Sequence, residues 1–142
     1  MGDVINIKDL DRRPAAWPAR CQYIGRTHSN LGLLANIWSN PYKIGEHGDR
    51  EQVLEQYEDY LRRMLFAKPG VRRQLRALLD KTLVCWCKPE RCHGDILLVV
   101  AALNDGEYAV WMAGKSVIPS IAPAEGEQMR LFEQGFTPGG EG

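Results

Sequence analysis

The chain has 142 residues, 18 Lys+Arg against 18 Asp+Glu for a net charge of zero, and 44% hydrophobic residues. That is one domain's worth of polypeptide, long enough to bury a core without disulfide staples. The start Met1-Gly2-Asp3-Val4 lacks the basic and apolar stretches of a secretory leader, and no apolar run approaches the roughly 20 residues of a membrane span, so the expectation is a cytoplasmic protein with no membrane partner and reduced cysteines.

In chain order, Val4-Ile5-Asn6-Ile7 is a short strand candidate, followed by a polar, proline-containing loop from Lys8 to Arg20 that carries Trp17. Cys21-Gln22-Tyr23-Ile24 is a second strand, broken at Gly25. Residues 26–49 hold Gly32, Asn40-Pro41, Gly45 and Gly48 with little periodicity and read as a long loop with a helical turn around Leu31–Trp38; long loops in small domains are often functional. From Arg50, Val53, Leu54, Tyr57, Tyr60, Leu61, Met64 and Leu65 recur at helical spacing, which predicts an amphipathic helix to about Phe66. Lys68-Pro69-Gly70 ends it, and Val71, Leu75, Leu78 and Leu79 share one face of a second helix. Thr82 to Cys87 is β-branched and aromatic, a third strand; Lys88 to Arg91 make a turn. Asp95 to Leu103 is almost wholly apolar, a helix buried on most sides, stopped by Asn104-Asp105-Gly106.

This order predicts an α/β domain over residues 1–112, with a small sheet flanked by helices. Beyond Ala113 the chain turns to Gly, Pro, Ser and Glu, so residues 113–142 are expected to form a disordered tail. Charge is unevenly spread: residues 1–81 hold 14 Lys+Arg against 10 Asp+Glu, residues 82–142 hold 4 against 8, and Arg62 to Arg76 contains six cations and no acid. Such a stretch is either a solvated helix surface or a phosphate-binding one.

Three of the four cysteines fall in Cys85-Trp86-Cys87-Lys88-Pro89-Glu90-Arg91-Cys92-His93-Gly94-Asp95. On a strand, Cys85 and Cys87 share a face while Trp86 points the other way. A turn into a helix near Gly94 returns Cys92 and His93 to the same sheet edge, where open α/β sheets place their ligands and where free amides at the helix start hold anions. Three readings compete. Cys85, Cys87, Cys92 and His93 are donors that zinc accepts, although the C-x-C-x4-C-H spacing departs from the usual pairs and adjacent Cys92 and His93 rarely share one ion. Alternatively Cys87 is a catalytic thiolate paired with His93, which Asp95 orients. Thirdly, the thiols are small buried hydrophobes and His93 a helix-start residue bonded to backbone.

Other residues suit a pocket beside this segment. Arg26, at the tip of the second strand, offers a guanidinium fork for carboxylate or phosphate, or a surface ion pair. Asn40, fixed by Pro41, makes a turn or presents its amide to a base or sugar. Arg50 opposes the dipole of the helix it begins, which points to an acidic partner or ligand. Tyr57, on the apolar face of that helix, packs in the core with its hydroxyl toward the site. A nucleotide or nucleic-acid ligand suits this set better than an apolar one, with cleavage or transfer at a glycosidic or phosphate bond as the reaction class.

Ile24-Gly25-Arg26, Asn40-Pro41-Tyr42, Arg50, Tyr57, Leu83 to Pro89 and Cys92-His93-Gly94-Asp95 together resemble an uncharacterised domain family of bacteria and their phages that carries a CWC-x4-CHGD signature, over roughly residues 4 to 103. The resemblance implies an α/β domain with a polar site, often in a phage or mobile-element context, and no particular reaction. In the tail, Gln128-Met129-Arg130-Leu131-Phe132 resembles the short peptide by which bacterial polymerases and repair proteins dock on the DNA sliding clamp. Leu131 and Phe132 would fill an apolar pocket with Gln128 at its rim, while Met129 and Arg130 depart from the commoner residues. The other reading folds Leu131 and Phe132 back onto the domain. A non-enzymatic module acting through the clamp or a host factor, with a structural or zinc-bound Cys/His element, is the alternative to an enzyme.

Overall fold

The computed structural model describes residues 2–88 and 90–121. Three short strands, β1 (Asp3–Asn6), β2 (Cys21–Tyr23) and β3 (Thr82–Cys85), form an all-parallel sheet in the order β1-β3-β2. The register pairs Ile5 with Val84 on one side of β3 and Tyr23 with Val84 on the other. Parallel neighbours cannot be joined by a tight turn, so the chain crosses between β2 and β3 through the loop 24–49 and two helices, α1 (Arg50–Ala67) and α2 (Val71–Ala77). Two more helices follow β3, α3 (His93–Ala102) and α4 (Asp105–Met112).

The alternation of side chains along the central strand divides the interior in two. Leu83 and Cys85 join Val4, Ile24, Tyr57, Leu61 and Ile96 in the main core under the helices, whereas Val84 packs with Ile7, Tyr23 and Leu33 under loops. Helices therefore cover one face of the sheet, and the segments after β1 and β2 cover the other. Because both faces are covered, β3 reads as a continuous apolar run.

Each helix start has a specific cause. Asp49 accepts from Gln52 N while Gln52 reaches back to Asp49 N, a reciprocal box that opens α1. Cys92 Sγ accepts from Gly94 N at 3.3 Å and Asp95 accepts from Cys92 N at 3.0 Å, which opens α3. A Cβ at Gly94 would stand 2.8 Å from Ile24 Cδ1 and 3.0 Å from Val4 Cγ1, so the missing side chain lets this helix start rest directly on the sheet.

The helix from His93 ends at Ala102, before Asn104-Asp105-Gly106 as expected, but a further helix follows at once: Asn104 caps α4, exchanging hydrogen bonds with Glu107 at 2.8 and 2.9 Å. The packed chain continues past α4 to Ile121, with Val117, Ile118 and Ile121 buried in the main core. The anchor is Glu58 on α1, itself buried, which accepts from Trp111 Nε1 (2.9 Å), Ser116 Oγ (2.8 Å) and Val117 N (2.7 Å) and faces Arg62 at 3.5 Å. Among the described residues no helix is long and apolar enough to cross a membrane.

Candidate functional site

All three parallel strands deliver their carboxyl ends to one edge, and the start of α3 meets them there, as open α/β sheets do at ligand sites. At that edge lies a cavity of about 340 Å³ whose wall includes Arg26, Asn40 and Arg50 from the β2–α1 side, and Cys87, Cys92 and His93 from the β3–α3 side. The structure thus brings together most of the residues singled out from the sequence.

The three thiols form the floor. Their Sγ atoms all lie within 4.8 Å of one another, with Cys85 and Cys92 in a hydrogen-bond contact at 3.5 Å. Crowding three ionisable thiols makes them unequal. Cys87 is held far below the usual thiol range, because Cys85 and Cys92 donate to its sulfur; the Arg50 guanidinium adds favourable charge, and burial opposes. Cys92 is pushed well above it by the same hydrogen bonds, by burial and by repulsion from its neighbours, and Cys85 is also raised, first by its bond to Cys87. The cluster carries one negative charge readily, on Cys87, and a second only with a cation to share it.

His93 is fixed from two sides. Its Nε2 lies 2.8 Å from Ile24 O, and its ring meets the edge of Tyr57 with centroids 4.9 Å apart. A carbonyl oxygen only accepts, so Nε2 carries the proton and Nδ1 keeps the lone pair in the neutral ring. Burial lowers the His93 pKa, outweighing the backbone bond and Cys87, so the ring is neutral at pH 7.

Two of the proposed site residues are absent from the cavity wall. Tyr57 is fully buried and donates to Trp38 O at 2.8 Å, which pins the loop over the site and backs the His93 ring. Asp95, expected to orient His93, instead forms an ion pair with Lys88 Nζ at 2.7 Å and caps α3; Ile24 O does the orienting. His93 is likewise not among the sulfur group, so the fourth ligand of the expected Cys85, Cys87, Cys92 and His93 zinc set is not supplied by its imidazole. The three thiols do fit a soft or borderline cation, with a further position to be filled from the cavity.

Of the cations lining the cavity, Arg91 pairs with Glu51 at 2.9 Å and Lys43 with Glu46 at 4.0 Å, whereas Arg26 and Arg50 are held by backbone. Arg26 Nη2 donates to Tyr42 O at 2.8 Å and Arg50 Nη1 to Arg91 O at 2.7 Å. The unfavourable place of Arg50 at the start of α1 is offset by that carbonyl, at the turn preceding α3. Asn40 Oδ1 accepts from Tyr42 N at 2.9 Å, the turn role anticipated for it, and its Nδ2 makes no hydrogen bond among the described residues. Of the basic stretch 62–76, Arg62 is bound to Asp59 and lies over Trp111, and Arg72 is bound to Asp105 and lies over Tyr108. Those two are structural; Lys68, Arg73 and Arg76 remain exposed. Gln128, Met129, Leu131 and Phe132 lie outside the described residues.

Fold and site define a small α/β domain with a thiol-floored, arginine-rimmed cavity at the carboxyl edge of a parallel sheet. Residues 9–103 match the domain of unknown function DUF4326, and the chain belongs to that family. Relatives occur in a mimivirus and in a bacteriophage. The chain is 32% identical over 87 residues to uncharacterised protein R718 of Acanthamoeba polyphaga mimivirus, a match that takes in 54% of this chain and 62% of the relative. It is 31% identical over 83 residues to an uncharacterised 12.4 kDa protein in the nrdA-td intergenic region of enterobacteria phage T4, 54% of this chain and 73% of that one. No solved structure matches.

Proposed function

We propose that the cavity binds the phosphate-bearing part of a nucleotide or nucleic acid and that the protein acts there on a glycosidic or phosphate bond. The observation that carries this reading is the convergence of Arg26 and Arg50 with Cys87 and His93 in one cavity. Two guanidinium groups suit a phosphate, which they contact through charge-assisted hydrogen bonds. Asn40 adds an unused amide donor. Cys87, held as the thiolate, supplies the nucleophile that displaces the leaving group and forms a covalent intermediate, and His93 Nδ1 accepts a proton from the water that then breaks the new bond to sulfur and passes that proton to the departed group. Tyr57 and Asp95 act from behind, the first by holding the His93 ring and the loop, the second by capping α3 and fixing Lys88. Incubation of the purified protein with nucleoside phosphates and with single-stranded DNA should give turnover that Cys87→Ser and His93→Ala abolish. Unchanged turnover in both variants would overturn the reading.

The grouping of Cys85, Cys87 and Cys92 supports a second reading, in which these thiolates hold zinc. With zinc bound, Cys85 and Cys92 would join Cys87 as thiolates, and the ion would supply a Lewis acid beside the arginines or serve only to brace the turn. Metal analysis separates the cases: one equivalent of zinc that Cys85→Ser, Cys87→Ser and Cys92→Ser each release supports a metal centre, and metal-free protein with a reactive Cys87 supports a nucleophile. The tail segment Gln128–Phe132 would dock the domain on the bacterial DNA sliding clamp, placing it where nucleic acid is handled. Alanine at Leu131 and Phe132 should abolish clamp pull-down; retained capture refutes that tether. A non-enzymatic clamp- or host-factor-binding role would leave the cavity variants without effect on capture and the protein without turnover.

A further inference from the structure

Trp86 stands between two cavities. It walls the thiol-floored one, and it also walls a second, of about 470 Å³, under the loops on the other face of the sheet. The second cavity is lined by the rings of Trp17, His28 and Trp86, with Ile7 and Leu31 among its apolar lining and Lys8, Arg12 and Asn30 also contributing. Its size falls within the range of small-molecule sites.

The aromatic groups are held with their faces on offer. Trp86 is 39% exposed, a large value for an indole in so small a fold, yet its Nε1 is already committed to Tyr23 Oη at 2.9 Å. Tyr23 Oη in turn donates to Arg26 O at 2.6 Å, which ties this indole to the arginine of the other cavity. Trp17 Nε1 is committed to Asp11 O at 2.8 Å. With both indole N–H groups spent on the protein, what remains for a ligand is ring surface. His28 lies on Trp86 with centroids 5.2 Å apart and planes at 22°, and its Nδ1 is buried without a hydrogen-bond partner among the described residues, so stacking rather than hydrogen bonding holds the ring. Asp11, the acid of this wall, is neutralised by Arg13 through two bonds of 3.0 and 3.1 Å, leaving Lys8 and Arg12 to set the sign of the local charge.

Flat aromatic walls, apolar depth and flanking cations suit a planar aromatic group that carries negative charge nearby. We propose that this cavity is a nucleobase-stacking site, occupied by the base of a nucleotide or of a single-stranded nucleic acid, with Lys8 and Arg12 toward its phosphates. The inference deepens the nucleotide reading of the thiol-floored cavity and rests on it for the choice of occupant. Base–aromatic stacking tolerates any base, so little sequence preference is expected.

The test is a set of calorimetric titrations with three probes: adenosine monophosphate, a short oligothymidylate, and ribose 5-phosphate as the base-free control. The proteins are the full chain, Trp17→Ala, Trp17→Phe, His28→Ala, and Arg26→Ala/Arg50→Ala, each checked for folding by circular dichroism. The two base-bearing probes should bind at least tenfold tighter than ribose 5-phosphate. Trp17→Ala and His28→Ala should weaken them about tenfold without touching ribose 5-phosphate, and Trp17→Phe should retain binding. Tighter binding of the oligonucleotide than of the mononucleotide identifies a strand as the source of the base; the reverse identifies a free nucleotide. Base-bearing probes no tighter than ribose 5-phosphate, or indifferent to Trp17→Ala and His28→Ala, overturn the inference. If ribose 5-phosphate binding is then still lost in Arg26→Ala/Arg50→Ala, the cationic cavity stands and only the stacking site falls. If instead the aromatic variants weaken binding and the arginine variant does not, the stacking site stands and the phosphate reading of the other cavity falls.

Discussion

The two faces of this sheet reach the same edge by different means. On the helix face, the cavity floor is made of buried thiols, an imidazole and capped helix ends whose polar atoms are tied to one another or to backbone. On the loop face, the cavity is made of ring surfaces whose polar ends are tied away from it. The first arrangement concentrates charge and reactive lone pairs; the second presents apolar area and little reactivity. Alternation along one strand produces both, since Cys85 and Cys87 turn to the helices and Trp86 between them turns to the loops.

If the helix face is the rigid side, breaking its buried network should cost most. Glu58→Ala leaves Trp111 Nε1, Ser116 Oγ and Val117 N without their acceptor and Arg62 with Asp59 as its one remaining acid, and should lower stability by about 3–5 kcal/mol in denaturant unfolding, releasing residues 113–121. Next comes the seat of α3. Gly94→Ala pushes a methyl against Ile24 and Val4, both buried, and should cost about 1–3 kcal/mol. Because α3 carries Cys92 and His93, the same change should slow any reaction of the helix-face cavity while leaving the aromatic one intact, which sharpens the separation of the two.

Acid should also act on the helix face. Burial lowers the His93 pKa from 6.5, so the folded state takes up this proton less readily than the unfolded chain. Stability from this group is therefore fully present above pH 6.5 and lost as pH falls below it, by up to about 1.4 kcal/mol per pH unit. In metal-free protein, His93→Gln should flatten that part of the stability profile relative to the wild type; an unchanged slope would mean that the ring is not buried neutral. The smallest effect is expected at the seam. Trp86→Phe removes the donor to Tyr23 Oη and should cost about 1 kcal/mol while keeping a stacking face.

Much of the fold was legible in the chain. The helical spacing of Val53, Leu54, Tyr57 and Leu61 marked α1, and the apolar run from Thr82 marked the central strand, because each pattern follows from a local period. The fourth helix was missed since Asn104-Asp105-Gly106 reads as a stop, although Asn104 with Glu107 three residues on is also a capping box. Residues 113–121 were missed for a different reason: Val117, Ile118 and Ile121 sit in a Gly/Ser/Pro-rich context, and their anchor, Glu58, is far away in sequence. At the site, strand alternation anticipated Cys85 and Cys87 on one side. It did not anticipate that Asp95 would be drawn to Lys88, nor that Ile24 O would orient His93, since both depend on tertiary placement. Trp17 and His28 escaped as site residues because only the closed fold brings them to Trp86.

The most direct test of the proposal that the helix-face cavity binds phosphate is a calorimetric titration of the wild type and of Arg26→Ala/Arg50→Ala with inorganic pyrophosphate. Saturable one-to-one binding by the wild type, weakened about a hundredfold in the double variant with its thermal unfolding unchanged, is the expected result. Equal binding by both proteins, or none by the wild type, would contradict it.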